Sequence, residues 1–208
     1  MATYKTPGVY IEEISVFPPS VAEVETAVPA FIGYTEKAQK NTSNDLILKP
    51  TKIYSLKEFE QYFGGPKGDD DIAMTVTDTT DGGFDASSVT EPTLSYILYY
   101  SMKLFFDNGG GQCYIVSTGT YQTTPVIGLT GDGSSDPATM YGLQDGLNAV
   151  RNEDEPTLIV IPEAVKLGNT EYQTLVQAVL LQCNDLQDRF AIFDIHGGDS
   201  ELDTSEIA

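Results

Sequence analysis

Short runs of uninterrupted apolar residues constrain this chain more than any other feature. They are Pro29-Ala30-Phe31-Ile32-Gly33-Tyr34-Thr35, Cys113-Tyr114-Ile115-Val116, Thr157-Leu158-Ile159-Val160-Ile161 and Phe190-Ala191-Ile192-Phe193-Asp194. Each has strand length and β-branched or aromatic content, and none alternates with polar residues. Each is therefore expected as a strand buried on both faces. Helical patterns lie between them, and that alternation predicts an α/β fold, a mixed sheet with helices on its faces.

The helical segments carry their own punctuation. Ser55 with Glu58 three residues on reads as a capping box, with Leu56, Phe59, Tyr62 and Phe63 on one face and Gly64-Gly65 as the stop. Thr93 is expected to cap a helix through Leu94, Ile97, Leu98, Met102, Phe105 and Phe106, apolar almost all round and so buried, ending at Asn108-Gly109-Gly110-Gly111. Val126 to Leu129 reads as a further short strand. Asp136 followed by Pro137 predicts a helix running to about Val150. Thr170 and Gln173 suggest another capping box, with Leu175, Val176, Val179, Leu180 and Cys183 as the core face.

Length and charge narrow the function classes. At 208 residues the chain supports one domain with appendages. Its 11 basic against 31 acidic residues give a net charge of −20, which argues against direct contact with nucleic acid or an anionic membrane surface. No run approaches the roughly 20 apolar residues of a membrane span, and the first residues do not read as a signal peptide. Cys113 and Cys183 sit among apolar residues and are expected as reduced, buried thiols in a chain folded in the cytoplasm. From 66 to 92 the composition turns acidic (Asp69, Asp70, Asp71, Asp78, Asp81, Asp85, Glu91), which predicts a surface insertion. It reads mostly as loop, with Thr75 to Thr80 as its one strand candidate.

Candidate chemistry is thin. His196 follows an apolar strand, with Asp194 and Asp199 near it in sequence, a position where α/β enzymes place catalytic groups. No Gly-x-Ser-x-Gly elbow accompanies it, and neither cysteine has an activating context. Gly109-Gly110-Gly111 comes after a helix and before a strand with no lysine following, the reverse of a phosphate-binding loop. Asp132, Ser134 and Asp136 have calcium-loop spacing, but the position that needs glutamate is Leu143. The sequence thus assigns no catalytic, cofactor-binding or metal-binding residue, and the chain is read as no enzyme and as needing no cofactor. The alternative is an α/β binding module or hydrolase-like enzyme using His196 and the acidic loop.

What remains is an arm at residues 1–20, ahead of a core domain at 21–208. Pro7-Gly8-Val9-Tyr10-Ile11-Glu12-Glu13-Ile14 has strand content bounded by Pro7-Gly8 and by Pro18-Pro19. No hairpin partner follows within turn distance. A strand held off its own domain by a stiff diproline suits pairing with another chain's sheet edge.

With these residues in view, the chain resembles the contractile tail sheath family of phages and related injection systems. The likeness rests on Tyr4 to Glu13, Pro18-Pro19-Ser20, Val28 to Gly33, Ser55 to Gly64, Phe106 to Gly110 leading into Cys113 to Val116, and Asp188 to Asp194. The resemblance implies a subunit that polymerises helically around an inner tube and contracts to drive it through a target membrane. It also implies inter-subunit strand exchange through Pro7, Gly8, Val9, Tyr10, Ile11, Glu12, Glu13 and Ile14, with Pro18 and Pro19 as the exit. The partners implied are other copies of the chain, an inner tube protein, and baseplate and terminator proteins, with no nucleic acid and no membrane insertion. Assembly would occur in the bacterial cytoplasm, within a phage tail or phage-tail-like particle. Members of that family continue well past the Phe190–Asp194 run, so the chain is expected to continue beyond Ala208.

Overall fold

A computed structural model of the chain describes residues 27–68, 74–79, 81–89, 95–122 and 127–198. The arm at 1–20 and all ten of its interface residues lie outside the described residues.

The chain enters through β1 (Pro29–Thr35), buried along its whole length. The strand β2 (Thr51–Ile53) leads into α1 (Leu56–Phe63). Ser55 Oγ accepts from Glu58 N at 3.2 Å, as the spacing predicts, while the Glu58 carboxylate reaches back one residue further, to Tyr54 N at 2.7 Å. Then come β3 (Met74–Asp78) and β4 (Phe84–Val89), α2 (Leu98–Asp107) and β5 (Cys113–Thr120). The chain continues through α3 (Leu143–Val150), β6 (Leu158–Val160), a 3-10 turn (Pro162–Lys166), α4 (Asn169–Leu186) and β7 (Phe190–Ile192).

The main sheet has the order β2-β5-β1-β6-β7. β5, β1, β6 and β7 run parallel, and β2 closes one edge antiparallel to β5. The protein is α/β with a mixed sheet, as the alternation predicts. β1 sits at the centre and sorts its side chains by the period of two. Phe31 joins Ile53, Phe59, Phe63, Leu98, Met102, Cys113 and Ile115 under α1 and α2. Ala30, Ile32 and Tyr34 join Val116, Leu143, Leu147, Ile159, Leu175 and Val179 under α3 and α4. α3 lies close on the sheet because Gly146 faces it: a Cβ there would stand 2.4 Å from Ile32 Cγ2.

Several sequence expectations are corrected by where the backbone amides and carbonyls find their partners. Ile127 to Leu129 is not a strand, and Val126 lies outside the described residues. The carbonyls of Gly128 and Leu129 instead accept from Leu143 N and Gln144 N at the start of α3. Asp136 does accept from Ala138 N at 3.0 Å, but it opens only a turn. The helix begins afresh at Leu143, where Asp145 Oδ2 takes Gly142 N at 2.9 Å and Gly131 N at 3.3 Å. α4 starts at Asn169 rather than at a Thr170 cap, with Glu171 reaching back to Gly168 N at 3.4 Å.

Burial corrects further expectations. α2 is covered on one side only, with Leu98 and Met102 fully buried but Leu104 exposed. On α4, Leu175 and Val179 are buried whereas Leu180 is exposed. Part of the acidic segment is a hairpin rather than loop. β3 and β4 form a two-stranded sheet of their own, turned where Thr79 N donates to Gly83 O at 2.8 Å. Residues 69–73, 80 and 90–94, which include the predicted Thr93 cap, lie outside the described residues.

Candidate functional site

β7 was expected to be a buried strand, and it is an exposed edge. It pairs on one side with β6, in the register Leu158↔Phe190, Ile159↔Ala191 and Val160↔Ile192. No strand among the described residues lies on its other side. Ala191 packs into the core beneath α3 and α4. Phe190 and Ile192 project to the opposite face, where they are 75% and 54% exposed, beside half-buried Leu158 and Val160. The face is bare because α1 and α2 cover the sheet only as far as Val160. Ile195, just beyond the strand, is 80% exposed.

Polar anchors hold both ends of this edge. At its head, buried Arg189 donates to Val150 O at 3.2 Å and to Glu153 O at 2.9 Å, at the C-terminal end of α3, where a cation is favoured. Its Nε and Nη2 also bind Asp188, and that bonding holds the Asp188 carboxyl below the usual carboxylate range. Beyond the strand, Tyr172 OH donates to Asp194 O and His196 Nε2 donates to Leu167 O at 2.9 Å. The exposed apolar groups are thus displayed on a pinned strand, not on a fraying end.

That placement bears on the catalytic candidate. The hydrogen bond of His196 goes to a backbone carbonyl, its ring lies 5.3 Å from that of Tyr172, and Asp194 meets Tyr172 through its own carbonyl. Asp199, the other acid considered, lies outside the described residues. A cleft of about 590 Å³ runs beside this segment, lined by Lys166, Phe193, Asp194 and Ile195.

The other sequence candidates serve local structure. Gly109 N and Gly110 N donate to Phe106 O and Phe105 O and end α2. Asp132, Ser134 and Asp136 accept from one another's backbone amides and from Ala138 N in successive turns. Among the described residues, no three His, Cys, Asp or Glu side chains cluster as metal ligands, and no helix is long and apolar enough to cross a membrane. The two groups that sequence reading missed are Arg189 and Glu163. Their roles depend on what lies across the fold, so no local signal marks them.

The fold thus defines an α/β domain with an apolar sheet edge that no second strand covers among the described residues. No protein-family model and no curated protein matches the chain. Among solved structures it is similar to a chain of the anti-feeding prophage baseplate in the contracted state, at 23% identity and a TM-score of 0.45 over 90% of this chain. It is also similar to a chain of the six-fold symmetrised baseplate of the same particle, at 21% identity and a TM-score of 0.48 over 96% of this chain. It spans 39% and 43% of the length of those two chains.

Proposed function

We propose that the chain is part of a structural subunit of a contractile sheath, with no catalytic role. In this reading many copies assemble helically around an inner tube within a phage-tail-like injection particle. Contraction then drives the tube through a target membrane. Copies are linked by strand exchange through the arm Pro7–Ile14, and Pro18-Pro19 directs the arm away from its own core. Baseplate and terminator proteins would bound the polymer, which assembles in the bacterial cytoplasm.

The observation that carries this reading is the pinned, apolar edge at β7, which has no second strand neighbour among the described residues. Exposed apolar edges invite strand addition, and soluble chains ordinarily blunt them. In this chain a strand-like segment and an edge left open by the described residues occur in one sequence. A donor on one copy and an acceptor on the next make a head-to-tail contact, which does not close on itself and propagates as a helix. The motifs shared with the sheath family support the same reading independently.

Deleting residues 1–19 from the complete protein and imaging the product by negative stain tests it. Short or absent tubes are the expected outcome, and tubes of normal length and abundance would refute the arm's role. His196→Ala in the same protein should assemble normally.

A further inference from the structure

Glu163 stands in the 3-10 turn that follows β6, and it is fully buried. Its Oε1 accepts from Leu98 N at 2.8 Å and from Ile97 N at 3.2 Å. These are amides at the start of α2, where Ile97 offers no side-chain cap of its own. Its Oε2 is buried and makes no hydrogen bond. The carboxylate lies so close over Gly33 of β1 that a Cβ there would be 2.1 Å from Oε2. One side chain therefore joins three elements, and only one of its two oxygens makes a well-formed hydrogen bond.

We propose that Glu163 is a proton-operated clamp that fastens the start of α2 to the sheet. The inference stands apart from the sheath reading and rests on this geometry. A carboxyl group in this place does two opposed things. As an acceptor it satisfies two helix amides, which either protonation state can do through Oε1. As an anion it also leaves a desolvated charge in the core, which costs far more than the neutral hydroxyl in the same place.

Burial wins over the pull of the backbone amides of Leu98, Glu163 itself, Ile97 and Tyr34, and pushes the carboxyl up to about 7. The groups around it are phenols: Tyr34 of β1, Tyr121 after β5, and Tyr96, which packs against both rings. Lys67 lies on the ring of Tyr96, 5.7 Å from its centroid.

The direction follows from linkage. The clamped state holds the proton up to about pH 7, whereas a released glutamate loses it at its ordinary value of 4.5. Release therefore expels a proton between these limits. The clamp is tightest below the ordinary value, loosens as pH rises toward 7, and is level above that. Within the window the opening equilibrium rises about tenfold per pH unit.

Two measurements on the 208-residue chain test this. In a sample with 13C-labelled glutamate carboxyl groups, one resonance should titrate near pH 7 and vanish in Glu163→Gln. Amide protection at Ile97 and Leu98, normalised to Leu147 and Val150 of α3, should fall steeply between pH 5 and 7. That slope should flatten in Glu163→Gln and in Gly33→Ala, whose Cβ would displace the carboxylate. If every glutamate carboxyl titrates in the ordinary range, or if the slope is the same in Glu163→Gln, the proposal is wrong. Should that variant fail to fold, the carboxyl titration of the unaltered chain decides alone.

Discussion

Arg189, at the head of β7, donates through Nη1 to the carbonyl of Val150, the last residue of α3, at 3.2 Å. A second bond, from Nη2 to Glu153 O, fixes the loop that follows. This guanidinium ties the sheet's exposed edge to a helix on its covered face, so the edge strand keeps its register with one strand neighbour among the described residues. The planar fork matters, because a lysine presents a single point of donation.

Arg189→Ala should therefore cost about 3 kcal/mol in urea unfolding, since it strands buried carbonyls as well as removing a charge. Arg189→Lys should recover less than half of that. The pH profile separates the ion pair from the packing. Arg189 holds the Asp188 carboxyl low, so the pair's stabilisation is present above the ordinary value of 3.8 and is lost as pH falls through the lowered one. The deficit of Arg189→Ala should accordingly shrink in acid below about pH 4. A deficit independent of pH would assign the whole effect to the backbone contacts.

Gly146→Ala sets two magnitudes against each other. Alanine in place of glycine favours a helix by about 1 kcal/mol. The new Cβ, however, would stand 2.4 Å from Ile32 Cγ2 and 2.6 Å from Thr118 Cγ2, and overpacking of this kind costs about 1–3 kcal/mol. A net loss of about 0–2 kcal/mol with an unchanged m-value is the expected result. A more stable variant would mean that α3 can lift off the sheet without penalty.

The two cysteines should separate cleanly in a thiol-labelling experiment. Burial pushes the Cys113 thiol up to about 12, so at pH 8 it has almost no thiolate and no access. Cys183 is half-buried and its thiol is raised by burial as well, less severely. In the native chain a water-soluble alkylating reagent should modify Cys183 slowly and Cys113 not at all. In denaturant both should react at once, and mass spectrometry of the peptides reads the difference.

Local sequence was enough to determine β1 and α1 and the first half of β5, though not its extension past Val116 to Thr120. Apolar run length reports burial on both faces, and the Ser55–Glu58 spacing reports a cap, because the groups concerned lie within one turn of each other. The acidic segment was legible as a break in composition, though not as a hairpin. The starts of α2, α3 and α4 were misplaced, α2 because its amides are met from across the fold, α3 and α4 because an acid three residues on, and not the expected cap, meets them. Local caps at Thr93, Asp136 and Thr170 were expected, and the described amides at the actual starts are met by Glu163, by the carboxylate of Asp145 and by Glu171. For β7 the residue types correctly indicated a strand, but hydropathy alone cannot tell an interior strand from an edge. Which strand forms the edge among the described residues, and whether Phe190 meets a helix or open space, depends on strand order and on where α1 and α2 stop across the sheet. Only the tertiary structure sets that, because it follows from strand order and helix placement over a hundred residues of chain.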